Sequence, residues 1–269
     1  MTIHAFQSAS LILTMPGFQT IGSIAILKPG LSPKEARSQA KQVLSRLPRI
    51  KSVYRYSGPV SGSLRTPRVS FVAGEKDPVT THKENGCLYR LDITKVMFSK
   101  GNVIERARIP KLVVPGETIA DMFSGIGYFS IPLGKFSKPS RIYAIELNPD
   151  SFRFLKENIK LNRLEGKVIP VHGDCRKVKL PEKADRIIMG YLPKTYEFLP
   201  AAFRLLKSNG IIHYHDIFRK EELWEKSESI LREHSARAGF YPIRMEKRVV
   251  KQYAPSVYHV VIDAEFRKA

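Results

Sequence analysis

Cysteine is scarce in this chain, acids are few beside the bases, and no long apolar run occurs; each shortage closes off a class of function. Cys87 and Cys175 are the only two cysteines in 269 residues, far apart and without CxxC spacing. Neither a disulfide framework nor a zinc site of cysteine ligands is therefore expected, and a reducing, cytoplasmic setting is. Met1 to Met15 is modestly apolar but holds no basic region followed by a long apolar core, and no window nears the ~18 uninterrupted apolar residues of a membrane helix. A signal peptide and a membrane span are both unexpected. The chain also contains no internal repeat or low-complexity tract.

The shortage of acid is the most informative. Twenty-five Asp and Glu stand against 45 Lys and Arg, a formal charge of +20. Such a surplus repels itself in the folded state, and its usual rationale is a polyanionic partner, nucleic acid first. A thermophile-type surface would carry matching Glu for ion-pair networks, and that match is missing. Before Glu105 there are 15 basic and 5 acidic residues, and from there on 30 and 20, so the N-terminal part is the more basic per residue. A hydrophobic content of 43% fills a real core. The length exceeds a typical domain of ~100 to 200 residues, so one large catalytic domain with a smaller appendage is expected.

Along the chain, Ile21 to Leu27 reads as a strand. Ser32-Pro33-Lys34-Glu35 then offers a cap, a proline at the first helical position and an early acid. Ala36, Ala40, Val43, Leu44 and Leu47 recur at helical spacing until Pro48. Val53 to Tyr56, a Gly/Ser/Pro-rich loop over Ser57 to Pro67, and the runs Val69 to Ala73 and Cys87 to Asp92 complete a small α+β module, assigned to residues 1–104.

From Lys111 the rhythm changes. Thr118 to Phe123, Arg141 to Ile145, Lys167 to Val171, Arg186 to Met189 and Gly210 to His215 alternate with helix-length intervals. This predicts βαβ units and a doubly wound parallel sheet over 105–269. Tyr241 to Lys251 and Tyr258 to Phe266 have no helix between them, so they should pair as an antiparallel C-terminal hairpin at the sheet edge.

Asp121-Met-Phe-Ser-Gly125-Ile-Gly127-Tyr-Phe129 follows the first of these strands and opens a helix. Glycines there let the backbone approach a ligand, and the helix N-terminus supplies free amides. Glu146 ends the next strand, where a carboxylate can accept from both hydroxyls of a ribose. To this point a dinucleotide fits nearly as well, although Ser130 stands where the third glycine of GxGxxG belongs. A third acid, Asp174 in His172-Gly-Asp-Cys175, can accept from an adenine amino group and tips the choice from NAD to S-adenosylmethionine (SAM). A plain turn at the glycines and a helix cap at Asp174 are the simpler alternatives.

Met189-Gly190-Tyr191-Leu192-Pro193-Lys194 leaves the fourth strand beside the crevice, where a substrate should present its reacting atom. There Tyr191 can stack on an extruded base and Lys194 can meet phosphate, or the segment is simply an exit turn. His213 and His215 share a strand face but have no third ligand at suggestive spacing, so polar lining is expected rather than a metal. Ahead of the domain, Ser99, Lys100 and Asn102 can hold a zwitterionic group, and Arg106 and Arg108 can meet RNA phosphate; a solvated linker is the alternative.

Taken together, these motifs resemble the tRNA (guanine-37-N1)-methyltransferase superfamily of archaea and eukaryotes. The likeness runs from Ile21-Gly-Ser-Ile-Ala25 through Phe98-Ser99, Glu105-Arg106, Asp121 to Phe129, Glu146-Leu-Asn-Pro-Asp150 and Gly190 to Lys194. It extends to Val250-Lys-Gln-Tyr253 and Val257-Tyr-His-Val260. Guanine methyltransferases of this superfamily carry an Asn-Leu-Pro or Asn-Pro-Pro turn whose asparagine contacts guanine, and tend to have an added tRNA-reading domain. This chain has Gly190-Tyr191-Leu192-Pro193 and is too short for that domain. Both departures are similar to the sister branch, the wybutosine-synthesising aminocarboxypropyltransferases.

The resemblance implies a class I SAM-dependent methyltransferase-like fold, SAM as donor, and tRNA, in particular tRNA-Phe, as partner; it does not call for a protein partner, and no metal is expected. It also implies a SAM site of Ser99, Lys100, Asn102, Asp121, Gly125, Gly127, Phe129, Glu146, Asp174, Cys175 and Gly190. Tyr191 and Pro193 would lie near the base, and Glu105 matches the methyltransferases' proposed base. N1-methylation of guanosine 37 and an RNA-binding protein with a vestigial SAM fold are the alternatives.

Overall fold

The alternation after residue 111 folds into a seven-stranded sheet in the computed structural model of the chain, which describes residues 17–62, 66–98 and 100–269. Its strands are β7 (Thr118–Asp121), β8 (Arg141–Glu146), β9 (Val168–His172), β10 (Ala184–Met189), β11 (Leu206–Arg219), β12 (Phe240–Ala254) and β13 (Val257–Lys268). They lie in the order β12-β13-β11-β10-β7-β8-β9. β7 pairs in parallel with both β8 and β10, and β10 with β11. The strand order therefore reverses at β7, and the crevice beyond the C-terminal ends of β7 and β10 is where such sheets bind ligands. β13 runs antiparallel between β11 and β12. The expected hairpin is present, with its second strand inside the sheet and its first at the edge.

Helices α3 (Ser130–Phe136) and α4 (Pro149–Leu161) follow β7 and β8, and α5 (Leu199–Leu205) and α6 (Glu225–Arg237) follow β10 and β11. Asn148 caps α4 by accepting from the Asp150 and Ser151 amides. Its inward face is Phe154, Leu155 and Ile159, whereas Phe152 is half-buried and stacks on His172. Phe203 of α5 meets Phe240 and Phe266 at ring distances of 5.4 and 4.9 Å, and Leu231 of α6 joins the same core.

The chain divides into two compact units. One comprises residues 17–59 and 68–77 of those described, and the other 60–67 and 78–269. This corrects the 104/105 boundary expected from composition. Residues 78–104 fold with the large sheet because the hairpin β5 (Val79–Glu84) and β6 (Cys87–Asp92) is stitched to α4 by two asparagines. Asn158 accepts from the Arg90 amide (2.6 Å) and donates to the Arg90 and Ile126 carbonyls, and Asn162 accepts from the Leu88 amide (3.0 Å) and donates to the Leu88 carbonyl. After the hairpin comes a short helix, α2 (Val103–Arg108).

In the first unit, β1 (Phe18–Ile21), β2 (Ile24–Leu27), β3 (Ser52–Ser61) and β4 (Thr66–Gly74) form a sheet with α1 (Pro33–Arg46) crossing from β2 to the parallel β3. Ser32 and Glu35 make the capping box, and Ala36, Ala40 and Val43 pack on Ala25, Leu27 and Val53. Two expectations change here. The single strand Ile21 to Leu27 is a hairpin that turns at Gly22, whose φ of 54° suits glycine. The loop at Ser57 to Pro67 is mostly strand, because cross-strand pairing overrides its Gly/Ser/Pro composition.

Candidate active site

At the reversal point lies a cleft of about 320 Å3, built wholly from the second unit. The turn after β7 forms its floor. Gly125 has a φ of +57°, its amide donates to Glu146 Oε2 at 2.7 Å, and a Cβ there would sit 2.6 Å from the Tyr128 ring. A Cβ on Gly190, across the cleft, would meet the Phe129 ring at 2.6 Å. Both glycines keep open a slot that any side chain would fill.

Glu146 lines the slot from the end of β8, its other oxygen accepting the Asn148 amide at 2.7 Å. Burial pushes its pKa up, opposed by these amide bonds. Each oxygen keeps lone-pair capacity for ligand hydroxyls. Asp174 lines the far end, where a hydrogen bond from Arg176 (Nη2 to Oδ2, 2.7 Å) holds its carboxyl below the usual range. Arg176 is largely exposed, so this pair opens at little cost. Cys175 and Phe129 complete the wall, and Asn102 lines the opposite side.

Beside this slot stands an aromatic wall. Tyr191 stacks on Phe123 with centroids 4.9 Å apart, and Phe198 meets both edge-on, at 4.9 Å from Phe123 and 5.6 Å from Tyr191. The Arg176 guanidinium lies 5.2 Å from the Phe198 ring. Phe123 and Phe198 carried no expectation from sequence. Both are aromatics close to recognised motifs, a signal available only once the two loops are known to converge.

Several expected site residues stand elsewhere. Asp121 is fully buried beneath the turn, accepts from Ser130 Oγ at 2.6 Å and is absent from the cleft lining. Burial pushes its pKa up to about 7. Gly127 serves packing, since a Cβ would fall 2.5 Å from Ile131 Cγ1. Pro193 is exposed outside the cleft and Leu192 lines it instead. Lys194 is exposed in a left-handed conformation, its amide donating to Asp216 Oδ1 at 3.0 Å. Ser99 falls outside the described residues, and Lys100 is described only in its backbone.

The two arginines expected to meet RNA are turned inward. Arg106 is 2% exposed, pairs with Glu84 at 3.2 Å and packs over the Phe98 and Tyr128 rings while lining the cleft. Arg108 is the hub of a buried polar network. Its Nη2 donates to Glu105 Oε2 at 2.7 Å and its Nη1 to Asp263 Oδ2 at 2.6 Å. Asp263 also accepts a hydrogen bond from His213 Nδ1 at 2.6 Å, and His213 Nε2 accepts from Arg186 at 2.7 Å. Arg186 in turn donates to Glu117 through Nε (2.7 Å) and Nη2 (2.8 Å).

An arginine donating to Nε2 fixes the His213 ring as neutral with its proton on Nδ1, and burial lowers its pKa accordingly. Burial alone would raise Asp263, but the bonds from His213 and Arg108 outweigh it and hold the carboxyl well below its usual range. Glu105, 1% exposed and clamped by Arg108 with Arg248 at 3.6 Å, does not line the cleft. Neither His213 nor His215 lines it either: both are buried, and His215 Nδ1 lies in hydrogen-bond contact with His259 Nε2 at 3.1 Å.

Comparison with known proteins supplies the family. Over 251 residues the chain is 43% identical to the tRNA(Phe) (4-demethylwyosine(37)-C(7)) aminocarboxypropyltransferase of Methanocaldococcus jannaschii, covering 93% of this chain and 98% of that protein. It is 36% identical to the tRNA (guanine(37)-N(1))-methyltransferase Trm5b of Pyrococcus abyssi, covering 91% of this chain and 73% of that one. The crystal structure of M. jannaschii TYW2 in complex with AdoMet superposes with a TM-score of 0.78 at 39% identity, over 94% of this chain and 100% of that one. Its likeness bears out the mixed α/β methyltransferase-like sheet with antiparallel C-terminal strands, together with a small N-terminal domain. Residues 9–77 match the TYW2 N-terminal domain and residues 80–240 the TRM5/TYW2 methyltransferase domain, so the chain belongs to the TRM5/TYW2 family.

Proposed function

We propose that this protein transfers the 3-amino-3-carboxypropyl group of SAM to C7 of 4-demethylwyosine at position 37 of tRNA-Phe. The observation that carries the reading is the near full-length likeness to the M. jannaschii aminocarboxypropyltransferase. Tyr191 supports it: a guanine methyltransferase of the superfamily would have a base-reading asparagine in this turn, whereas the Tyr191, Phe123 and Phe198 wall offers a broad stacking face for a tricyclic base.

A sulfonium donor activates three carbons at once and leaves as a neutral thioether, so orientation selects which group moves and little acid assistance is required. The residues fit such a donor. The slot at Gly125 and Gly190 admits a flat ligand, Glu146 accepts from ribose hydroxyls, and Asp174 accepts from the adenine amino group. Phe129 and Cys175 exclude water, and Asn102 faces the chain to be transferred. Tyr191 holds the base by stacking, and Lys194 meets nearby phosphate. Glu105 anchors α2 to the C-terminal hairpin through Arg108 and Arg248. In the first unit, the exposed Lys34, Arg37, Lys41 and Arg46 of α1 engage the tRNA backbone.

The reading takes the cytoplasm as the site of action. Both thiols are free and buried, raised to about 11 in Cys87 and about 12 in Cys175 by burial, and so inert. No helix among the described residues is long and apolar enough to cross a membrane.

The test is mass spectrometry of tRNA-Phe nucleosides after incubation of the protein with SAM. An aminocarboxypropyl gain on tRNA carrying 4-demethylwyosine, with little methylation of tRNA carrying unmodified guanosine 37, is the expected result. Efficient methylation of the second with no product from the first would return the protein to guanosine-37 methylation, the activity named for its Trm5b relative.

A further inference from the structure

The transferred chain carries an α-carboxylate, and a carboxylate held in a cleft needs a cation or several amide donors. Three described cations line the cleft: Arg106, Arg176 and Lys251. Arg106 is committed to Glu84 at 3.2 Å, and Arg176, which pairs with Asp174 at 2.7 Å and lies over the Phe198 ring, stands at the end of the cleft assigned to adenine rather than to the transferred chain. Lys251 has no carboxylate partner among the described residues. The acids of the lining do not compete for it, because Glu146 accepts the Gly125 and Asn148 amides and Asp174 accepts from Arg176.

The backbone of β12 is irregular where it presents this lysine. Its register against β13 shifts between Val249 and Lys251 and again between Gln252 and Ala254, and the two residues of this stretch that line the cleft are Lys251 and Tyr253. Bulges re-aim side chains beside active sites. His259, opposite Lys251 in the register, is buried, and burial, with the Lys251 charge adding to it, pushes its pKa down to about 4. The strand partner is thus neutral and gives the ammonium no counter-ion.

The geometry points to Lys251 as the residue that holds the α-carboxylate of SAM and so sets the direction in which the aminocarboxypropyl chain lies. This rests on SAM being the donor, and the experiment separates the two claims. Calorimetry compares three ligands: SAM, decarboxylated SAM, which lacks only the carboxylate, and methylthioadenosine, which lacks the whole chain. Each is titrated into wild type, Lys251→Met and Lys251→Arg.

Lys251→Met should weaken SAM about ten- to hundredfold, the weight of one charge-assisted hydrogen bond. It should leave decarboxylated SAM and methylthioadenosine within about twofold, and Lys251→Arg should recover most of the loss. Equal losses on all three ligands, or none, would overturn the assignment. So would unchanged SAM affinity with a flatter salt dependence of tRNA binding, which would make Lys251 a phosphate contact. A wild type that binds neither SAM nor methylthioadenosine overturns the donor itself.

Discussion

Replacing Arg108 by methionine separates a structural arginine from an RNA-binding one. The side chain keeps its aliphatic length but loses the guanidinium that bridges Glu105 (2.7 Å) and Asp263 (2.6 Å). Glu105 is 1% exposed and would be left with only Arg248 at 3.6 Å, while Asp263 would keep His213. Removing one partner of a buried pair costs ~3 to 5 kcal/mol, because the charge left behind has no solvent to replace it. The loss should appear as a lower urea midpoint at unchanged m, followed by the fluorescence of Trp224, the single tryptophan, which packs against the large unit's core.

The penalty has a pH signature. The folded-state pKa of Asp263 is depressed, so its stabilisation is present above the ordinary carboxylate range and is lost as pH falls through the folded value. The gap between wild type and Arg108→Met should therefore be widest near neutrality and narrow below about pH 4. The salt slope of tRNA binding should not change. A variant within about 1 kcal/mol of wild type, with a slope flatter by about 0.7 to 0.9, would refute the buried role and restore a phosphate contact.

Tyr191→Ala should raise KM for tRNA bearing the tricyclic base by roughly five- to hundredfold, the worth of ~1 to 3 kcal/mol of stacking, with SAM affinity unchanged and Tyr191→Phe near wild type. A loss confined to SAM binding would contradict the stacking role. Asp121, with its folded pKa raised to about 7, keeps its proton in the native state after the unfolded chain has lost it, so wild-type stability falls as pH rises from about 4 to 7. Asp121→Asn removes that slope. Melting temperatures at pH 5 and 8 should diverge between the two proteins in favour of the variant at pH 8, and parallel behaviour would sink the account.

How much of this was legible depends on the range of the interaction. β7 to β11 could be read because each contains a short apolar run, a local pattern, although a helix separates only β7 from β8, β8 from β9 and β10 from β11. Gly125, Glu146 and Asp174 could be read because ligands bind at strand ends, which makes position along the chain a proxy for position in the site. β5 was invisible, since Val-Thr-Thr-His-Lys-Glu is polar and alternates weakly, and its fit depends on the asparagines of α4.

Arg106 and Arg108 read as surface groups because most arginines are exposed. What buries them are Glu84 and Asp263, the second 155 positions away, and no spacing rule reports such a partner. Lys251 and Tyr253 sat in a recognised motif without a role, because only the bulged pairing of β12 with β13 turns them to the cleft.

The strand order has a consequence for how the protein is made. Among the described residues β12 hydrogen-bonds to no strand but β13, which joins it to β11. On the ribosome β12 emerges first but has nowhere to dock until β13 follows it out of the tunnel. The walls built by β7, β8 and β10 can close early, while the wall bearing Lys251 and Tyr253 arrives in one late step with the hairpin. Chains that stop before β13 should therefore lack the wall bearing Lys251 and Tyr253 and bind SAM more weakly than the full chain.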